Sequence, residues 1–210
     1  MKHYTRVQVF ARAAVSGEAK TRLIPRIGAD GAARLQQALT ARSVETALAA
    51  DLGKVELWCT PDTSHPTLAA FEAHGVVLHD QGPGDLGKRM QRAMDHAVAN
   101  GDNAVLIGSD CPALTGADLH SAAQAVQQAS DVALVPAEDG GYVLIAANKC
   151  SPRLFDGLAW GSDTVMEETR QRLRELGWSW HELPQRWDVD RPEDYDRLLR
   201  ELPAVLSNYA

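Results

Sequence analysis

Apolar and polar stretches alternate along the chain in a way that predicts strands and helices in turn. Short apolar or alternating runs are typical of strands in an α/β sheet. The strands predicted in this way cover residues 6–12, 54–60, 75–80 and 104–107. Between them, apolar positions recur every three or four residues, as on one face of a helix. The helices predicted there cover 29–50, 65–73, a segment that ends near 99, and 115–129.

The rest of the chain departs from this simple alternation. Residues 131–137 and 141–147 predict two strands joined by a turn-forming run, Glu138–Gly141. Ser162 is expected to cap a helix that ends at Gly177. A last strand over 178–183 and a terminal helix with Pro192 in its first turn complete the pattern.

This order of elements predicts one α/β domain over residues 1–210. The expected architecture is a mostly parallel, Rossmann-like sheet with helices on both faces and a small antiparallel hairpin.

Composition and charge limit the classes of partner and compartment. The formal net charge of −7 disfavours a nucleic acid or an anionic membrane as partner. No apolar run is long enough to span a membrane. Three cysteines without a CxxC pair indicate a reducing compartment, and we expect the cytoplasm. The seven histidines show no HxxxH or HExxH spacing, so a helical two-histidine metal site is not expected.

The stretch Gly108–Pro112 ends a buried strand abruptly, since glycine permits a turn and proline cannot continue the strand. Asp110 is therefore expected at the carboxyl edge of the sheet, where open α/β folds bind their ligands. A carboxylate at that place suits a divalent cation or a general base, and a turn-forming aspartate is the alternative. The neighbouring Cys111 is expected to be a small buried residue and not a nucleophile.

A basic loop follows the first strand. Arg12, Lys20, Arg22 and Arg26 are opposed by one acidic residue, which favours a small anionic ligand. Phosphates could be held there by backbone N–H groups and by the side chains of Lys20 and Arg22. The loop is not a P-loop, because alanines stand where that motif requires glycine.

Further carboxylates follow predicted strands. If Asp188 and Asp190 converge with Asp110, the three carboxylates could hold Mg²⁺ or Mn²⁺. The alternative for Asp188 and Asp190 is that they cap the last helix. The turn at 138–142 would add carboxylates near the same edge. Trp160 and Trp187 could stack on a sugar or a base, or simply pack.

Residues 82–87 fit the dinucleotide-binding pattern GxGxxG. The preceding strand ends in polar residues and Pro83 stiffens the turn, so a nicotinamide or flavin site is disfavoured.

Several motifs together resemble a bacterial family of proposed glycosyltransferases with the GT-A (nucleotide-diphospho-sugar transferase) fold. Some members are labelled arsenosugar-biosynthesis glycosyltransferases, and others only domain of unknown function 2064. The motifs are Phe10–Ala13, Ser16–Leu23, Gly84–Met90, Gly108–Leu114, Glu138–Tyr142 and Asp188–Asp190. The resemblance implies a nucleotide-binding loop at 11–22, a metal ligand at Asp110 and, by analogy with related enzymes, a second at Asp190.

These observations predict a metal-dependent glycosyltransferase that uses a nucleotide-diphospho-sugar donor and a small-molecule acceptor. The catalytic candidates are Asp110 and Asp139, the latter to orient or deprotonate an acceptor hydroxyl. The metal candidates, for Mg²⁺ or Mn²⁺, are Asp110, Asp188 and Asp190. The nucleotide- and substrate-binding candidates are Ala11, Arg12, Gly17, Lys20, Arg22, Gly84, Asp85, Gly87, Arg89, Gly140, Gly141 and Trp160.

Two alternative functions stay open at this point. A nucleotidyltransferase would join an NTP to a phosphorylated small molecule with the same fold and metal site. Such enzymes usually carry a glycine-rich loop after the first strand, whereas Gly17 is the only glycine between residues 7 and 27. A non-catalytic nucleotide-binding protein is the second alternative.

Overall fold

The computed structural model describes residues 4–207 of the chain, and within them the secondary structure follows the predicted order. The strands are β1 (Thr5–Arg12), β2 (Gly53–Thr60), β3 (Val77–Asp80), β4 (Asn103–Gly108), β5 (Val132–Pro136), β6 (Tyr142–Ala147) and β7 (Trp180–Glu182). The helices are α1 (Ile24–Ala49), α2 (Pro66–Ala69), α3 (Leu86–Ala99), α4 (Gly116–Gln128), α5 (Val165–Leu176), α6 (Pro192–Glu201) and α7 (Ala204–Ser207).

The described strands form one seven-stranded sheet in the order β3-β2-β1-β4-β6-β5-β7. All neighbouring pairs are parallel except those of β6, which runs antiparallel to β4 and β5. The predicted mostly parallel sheet with one hairpin is therefore confirmed. The chain leaves β1 toward β2 and later returns to β4 on the other side of β1, so the β1–β4 boundary is a topological switch point.

Two apolar layers cover the two faces of the sheet. One layer contains side chains of α1 and α4, such as Val44 and Leu119, and the other contains side chains of α3 and α5, such as Met94 and Leu173. These four residues are almost fully buried. A smaller cluster packs the C-terminal helices against α1 and includes Trp187 and Val189. Helices on both faces, as predicted, thus fix the direction in which each strand end points.

The helix boundaries follow local chemistry. The capping box of Thr115 and Asp118 is present at the start of α4, and Pro192 lies in the first turn of α6 as predicted. The prediction for Ser162 was wrong: α5 begins at Val165 after Thr164. The Ser162 hydroxyl instead accepts a hydrogen bond from the backbone N–H of Thr164 at 3.3 Å, within the preceding turn.

The turn between β5 and β6 is docked onto the start of α5. Gly140 has a φ of 92°, and a Cβ atom there would lie 2.2 Å from the carbonyl oxygen of Asp163. The Gly140 carbonyl accepts a hydrogen bond from the N–H of Met166 at 2.9 Å. This close backbone approach requires glycine, and it fixes the position of Asp139 at the carboxyl edge of the sheet.

Replacing Gly140 with alanine should destabilise the protein more than replacing Gly75. Both residues have a positive φ, but a Cβ atom at Gly75 meets nothing within 4 Å. Gly75→Ala should cost about 1 kcal/mol for the backbone conformation, and Gly140→Ala about 2 kcal/mol more for the clash. Urea unfolding of both variants measures this difference. Equal losses would show that the turn is not held against α5.

Candidate functional site

A cavity of about 690 Å³ opens at the carboxyl edge of the sheet, around the β1–β4 switch point. The structure brings most of the predicted site residues to its wall. Those that line it are Ala11, Arg12, Lys20, Arg22, Arg89, Asp110, Asp139, Gly141, Trp160, Asp188 and Asp190. Residues that lie more than 170 positions apart in the chain thus face one space. The size is that of a site for a small organic ligand.

Lys20 joins three segments at the base of this cavity. Its ammonium group lies 2.7 Å from Asp110 Oδ1 and donates a hydrogen bond to the carbonyl oxygen of Val189 at 2.6 Å. The Lys20 side chain is 6% exposed, whereas the Asp110 side chain is 48% exposed. An ammonium group has three donors, and of these two contacts only the one with Val189 is a hydrogen bond, so the group can still donate to a ligand. The Lys20 ammonium is therefore placed to contact an anionic ligand in the cavity.

Arg22 pairs with the second predicted metal ligand. Its guanidinium donates to Asp190 Oδ2, and both side chains are largely exposed. The cations predicted to hold phosphates therefore lie beside the carboxylates predicted to hold a metal. Opposite charges at one place suit a ligand that brings its own divalent cation and its own phosphates.

Asp188 carries the clearest electrostatic signature of the site. Burial, together with the charges of Asp139 and Asp110, raises the pKa of Asp188 to about 6. Carboxylates that repel each other in a partly buried place are stabilised by a bound cation. The donor set of Asp110, Asp188 and Asp190 consists of carboxylate oxygens, which are the ligands that Mg²⁺ and Mn²⁺ prefer. The donor types thus suit such a metal, whereas these three carboxylates are not among the described groups whose ligand atoms lie within 4.8 Å of one another.

Asp188 and Asp190 do not cap the last helix, because its N-cap position is Arg191. The carboxylate of Asp194 in the first turn accepts hydrogen bonds from the backbone N–H groups of Asp190 at 3.1 Å and Arg191 at 2.7 Å.

Part of the backbone of the basic loop is already hydrogen-bonded. The N–H groups of Ala13, Val15, Glu18 and Ala19 donate to backbone carbonyls, and that of Ala14 donates to Thr67 Oγ1. These five groups are occupied within the fold, so they are not available to phosphates. Binding of phosphate by the other N–H groups of the loop stays a prediction.

The remaining predicted site residues are not among those that line the cavity. They are Gly17, Gly84, Asp85, Gly87 and Gly140. Asp85 caps α3 by accepting a hydrogen bond from the N–H of Lys88 at 2.9 Å. Gly87 lets α3 approach Trp160, because a Cβ atom there would lie 2.8 Å from Trp160 Nε1. Contact of these residues with a ligand stays a prediction.

The dinucleotide pattern at 82–87 has no matching context. It follows β3, which is the edge strand of the sheet. In the dinucleotide-binding fold the corresponding glycines follow a central strand at the switch point. The guanidinium of Arg92 fills the turn instead, donating to the carbonyl oxygens of Gln81 and Pro83.

The two candidate tryptophans have different roles. Trp160 lines the cavity and meets Tyr142 edge to face, with ring centroids 6.3 Å apart. Trp187 is 6% exposed and packs in the C-terminal cluster beneath Arg197, so it is a core residue. Only Trp160 can therefore stack on a ligand in the cavity.

Cys111 is buried as expected, and burial raises the pKa of its thiol to about 12. It is therefore not a thiolate nucleophile.

Sequence reasoning missed several polar residues of the wall. Gln36 of α1 is buried and donates to Ser109 Oγ at 3.3 Å beneath the cavity. Gln81 is fixed by hydrogen bonds to the carbonyl oxygens of Trp58 and Ala11 and receives one from Arg89. Gln36 could have been found, because a polar residue on the apolar face of α1 indicates a buried polar contact. Gln81 could not, because its position after an edge strand gives no sequence signal of such a role.

Fold and site together define an α/β protein with a candidate ligand cavity at the carboxyl edge of its sheet. Residues 40–162 match a family described as "Uncharacterized protein conserved in bacteria (DUF2064)". The chain belongs to this family, as its motifs predicted.

Solved structures with similar folds include a provisionally named nucleotide-diphospho-sugar transferase from Desulfovibrio desulfuricans G20. It is 28% identical over 99% of both chains, with a TM-score of 0.82. The GT-A-like fold and the predicted class of enzyme, a transferase, are confirmed by this similarity.

Two more distant structures share the fold. CMP:2-keto-3-deoxy-manno-octonic acid synthetase, complexed with CTP, is 15% identical over 96% of this chain and 98% of its own, with a TM-score of 0.61. Glucosyl-3-phosphoglycerate synthase from Mycobacterium tuberculosis, complexed with Mn²⁺, UDP and glucosyl-3-phosphoglycerate, is 14% identical over 99% of this chain and 80% of its own, with a TM-score of 0.54. A comparison with curated proteins gave no match.

Among residues 4–207, none of the helices combines the length and the apolar character that crossing a membrane requires.

Asp188→Asn should stabilise the metal-free protein at pH 7.5 and not at pH 4. Because the pKa of Asp188 is raised to about 6 in the folded state, the wild type loses stability as pH rises from about 4 through 6. The asparagine variant does not lose stability in this way. We expect its free energy of unfolding at pH 7.5 to exceed that of the wild type by about 1–2 kcal/mol, a value reduced to allow for solvent screening. Urea unfolding in EDTA across this pH range measures it. A difference that does not change with pH would contradict the electrostatic account.

Proposed function

We propose that this protein is a metal-dependent glycosyltransferase that transfers a sugar from a nucleotide diphosphate to a small-molecule acceptor. The observation that carries the proposal is the convergence of Lys20 and Arg22 with Asp110, Asp188 and Asp190 around one cavity. A diphosphate with a divalent cation has the charges that match this arrangement.

In this proposal the carboxylates bind the diphosphate through a metal ion, and the basic side chains bind it directly. The carboxylates of Asp110, Asp188 and Asp190 would hold Mg²⁺ or Mn²⁺, which when bound neutralises the diphosphate and makes it a better leaving group. Lys20 and Arg22 would hold phosphate oxygens by charge-assisted hydrogen bonds. Lys20 is fixed by Val189 and Asp110, so little side-chain entropy is lost when it meets a ligand.

Other wall residues would bind the organic parts of the donor. Trp160 and Tyr142 give an aromatic side to the cavity, on which a base or a sugar ring could stack. Arg89 is anchored by donating to the carbonyl oxygen of Gly84 at 3.0 Å and carries further donors toward the cavity. Residues 84–89 would thus enclose the nucleotide from the α3 side.

Asp139 would act on the acceptor. One oxygen of its carboxylate accepts a hydrogen bond from the N–H of Gly141 at 3.0 Å, which orients the side chain. The carboxylate is exposed and lies at the cavity wall, so an acceptor hydroxyl can reach it. It would orient this hydroxyl or take its proton as the sugar is transferred.

Nucleotidyl transfer is the second candidate, since the fold similarity to CMP:2-keto-3-deoxy-manno-octonic acid synthetase favours it. That reaction would place an NTP in the same cavity, with an acceptor phosphate attacking the α-phosphorus. The occupied N–H groups at residues 13–15, 18 and 19 weigh against it, because they reduce the number of backbone donors that the loop offers to a triphosphate.

We further propose that the protein acts in the cytoplasm. All three cysteines are free thiols, and two of them are buried. Free thiols are typical of a reducing compartment.

Nucleotide-diphospho-sugars should stabilise the protein in the presence of Mn²⁺. A ligand that binds only the folded state at a hundred times its dissociation constant adds about 2.7 kcal/mol of stability. Thermal unfolding should be compared for UDP-, GDP-, ADP- and dTDP-sugars, NTPs and NAD(H), each with and without Mn²⁺. The proposal expects a metal-dependent rise in Tm with one nucleotide-sugar. A rise with an NTP and not with its sugar derivative would indicate nucleotidyl transfer, and a metal-independent rise with NAD(H) would overturn both.

Asp110→Asn should remove the metal-dependent part of this binding and the transfer of sugar, while Lys20→Met should weaken the nucleotide even without metal. The expected loss of affinity is on the order of 10- to 100-fold for each. Calorimetric titration with the nucleotide-sugar measures both effects. Asp156→Asn, an exposed aspartate outside the cavity, is the matched control and should bind as the wild type does. Unchanged metal dependence in Asp110→Asn would show that the metal is not held there. A wild type that binds the nucleotide-sugar but turns over no acceptor would indicate a non-catalytic binding protein.

A further inference from the structure

A second group of metal-ligating side chains lies apart from the cavity. Glu56 of β2, His79 of β3 and His96 of α3 place a carboxylate oxygen and two ring nitrogens within 4.8 Å of one another. None of these three residues lines the cavity. We propose that Glu56, His79 and His96 form a Zn²⁺ site that ties the edge strand β3 to α3.

The distances from the carboxylate oxygen to the two ring nitrogens are close to those of a zinc site. Glu56 Oε1 lies 3.5 Å from His96 Nε2 and 3.7 Å from His79 Nε2. Tetrahedral Zn²⁺ with bonds of about 2.0–2.1 Å separates its ligand atoms by about 3.3 Å. Side-chain shifts of well under 1 Å would therefore bring the carboxylate and each ring to bonding distance.

One ring nitrogen lacks a partner. His79 Nε2 is buried and makes no hydrogen bond. A buried polar atom without a partner costs free energy, and such atoms are uncommon in folded proteins. A metal bond would satisfy the lone pair of this nitrogen.

Trp58 holds all three ligands in place. Its ring stacks on His79 with centroids 4.8 Å apart and planes 18° apart, and it meets His96 edge on at 5.8 Å. Its indole N–H donates to Glu56 Oε2 at 3.1 Å. Ligands that are oriented by neighbouring groups bind a metal more tightly, because less freedom is lost on binding.

The charges around the site suit a cation. Arg6 donates to Glu56 Oε1 at 2.7 Å and to Asp102 Oδ2 at 2.6 Å, so one guanidinium is shared by two carboxylates and one negative charge remains. A bound cation would balance this remaining charge.

The donor types identify the class of metal. Two imidazole nitrogens and one carboxylate oxygen favour Zn²⁺, whereas Mg²⁺ and Ca²⁺ prefer oxygen ligands alone. The side chains of His79 and His96 are 26% and 36% exposed, so the ion can reach the site and water can supply the fourth ligand. This site differs in chemistry from the carboxylates of the cavity.

The position of the site gives it a structural consequence. Residues 81–85 connect β3 to α3, and both Gln81 of this segment and Arg89 of α3 line the cavity. An ion bound by His79 before this segment and by His96 after it would restrain both of its ends. The site acts on the shape of the cavity wall without contacting a ligand there.

The test is zinc binding by the full chain after removal of metals with EDTA. Dialysis against Zn²⁺ followed by elemental analysis should give one ion per chain in addition to any held by the cavity carboxylates. Titration with Co²⁺ should give the visible spectrum of a tetrahedral site. The double variant His79→Asn/His96→Asn should lose this binding by more than about 100-fold, while Asp110→Asn should keep it.

The matched control removes two exposed histidines elsewhere, in His120→Asn/His181→Asn, and should bind as the wild type does. If the first double variant does not fold, imidazole nitrogen NMR of the wild type decides the question, because Zn²⁺ must shift the signals of His79 and His96. Zn²⁺ binding that is absent from the wild type, equal in the two double variants, or without effect on these two imidazoles would overturn the proposal.

Discussion

The buried ammonium group of Lys20 joins the parts of the chain on which the cavity depends. It links the loop after β1 to Asp110, which follows β4. It also links this loop to the carbonyl oxygen of Val189, which lies 169 residues after Lys20 in the chain. The N–H of Val189 in turn donates to the carbonyl oxygen of Asp110 at 2.9 Å. A buried lysine is tolerated only when it is paired, so the fold must keep these segments together. The same pairing leaves a positive group and a carboxylate side by side at the cavity.

Most of the fold could be predicted from the sequence, because strand endings are local. The apolar run before Gly108 and the turn at 138–141 each show where a strand stops, and parallel strands bring such ends to one edge. The candidate carboxylates converge for this reason. Helix starts were less predictable. Ser162 is the better cap by residue type, yet α5 begins after Thr164, and the N–H of Met166 in its first turn donates to the carbonyl oxygen of Gly140.

Interactions between distant residues could not be predicted in the same way. The ion pair of Arg22 with Asp190 depends on how the loop and the C-terminal segment pack together. The spacing of residues along the sequence does not predict that packing. Likewise, five N–H groups of the loop donate hydrogen bonds within the fold, which the residue types alone do not reveal. The sequence excludes two histidines on one helix, but His79 and His96 come from a strand and a helix, which no motif describes.

The central claim is that a divalent cation at the cavity carboxylates holds the diphosphate of a nucleotide-sugar. Phosphorus NMR of the nucleotide-sugar with a trace of Mn²⁺ tests it directly, because a paramagnetic ion broadens the signals of nuclei close to it. With wild-type protein, both phosphorus signals should broaden far more than they do with Mn²⁺ alone, and the extra broadening should vanish with Asp110→Asn. Equal broadening with the two proteins would contradict the account, since the metal would then not be held by Asp110.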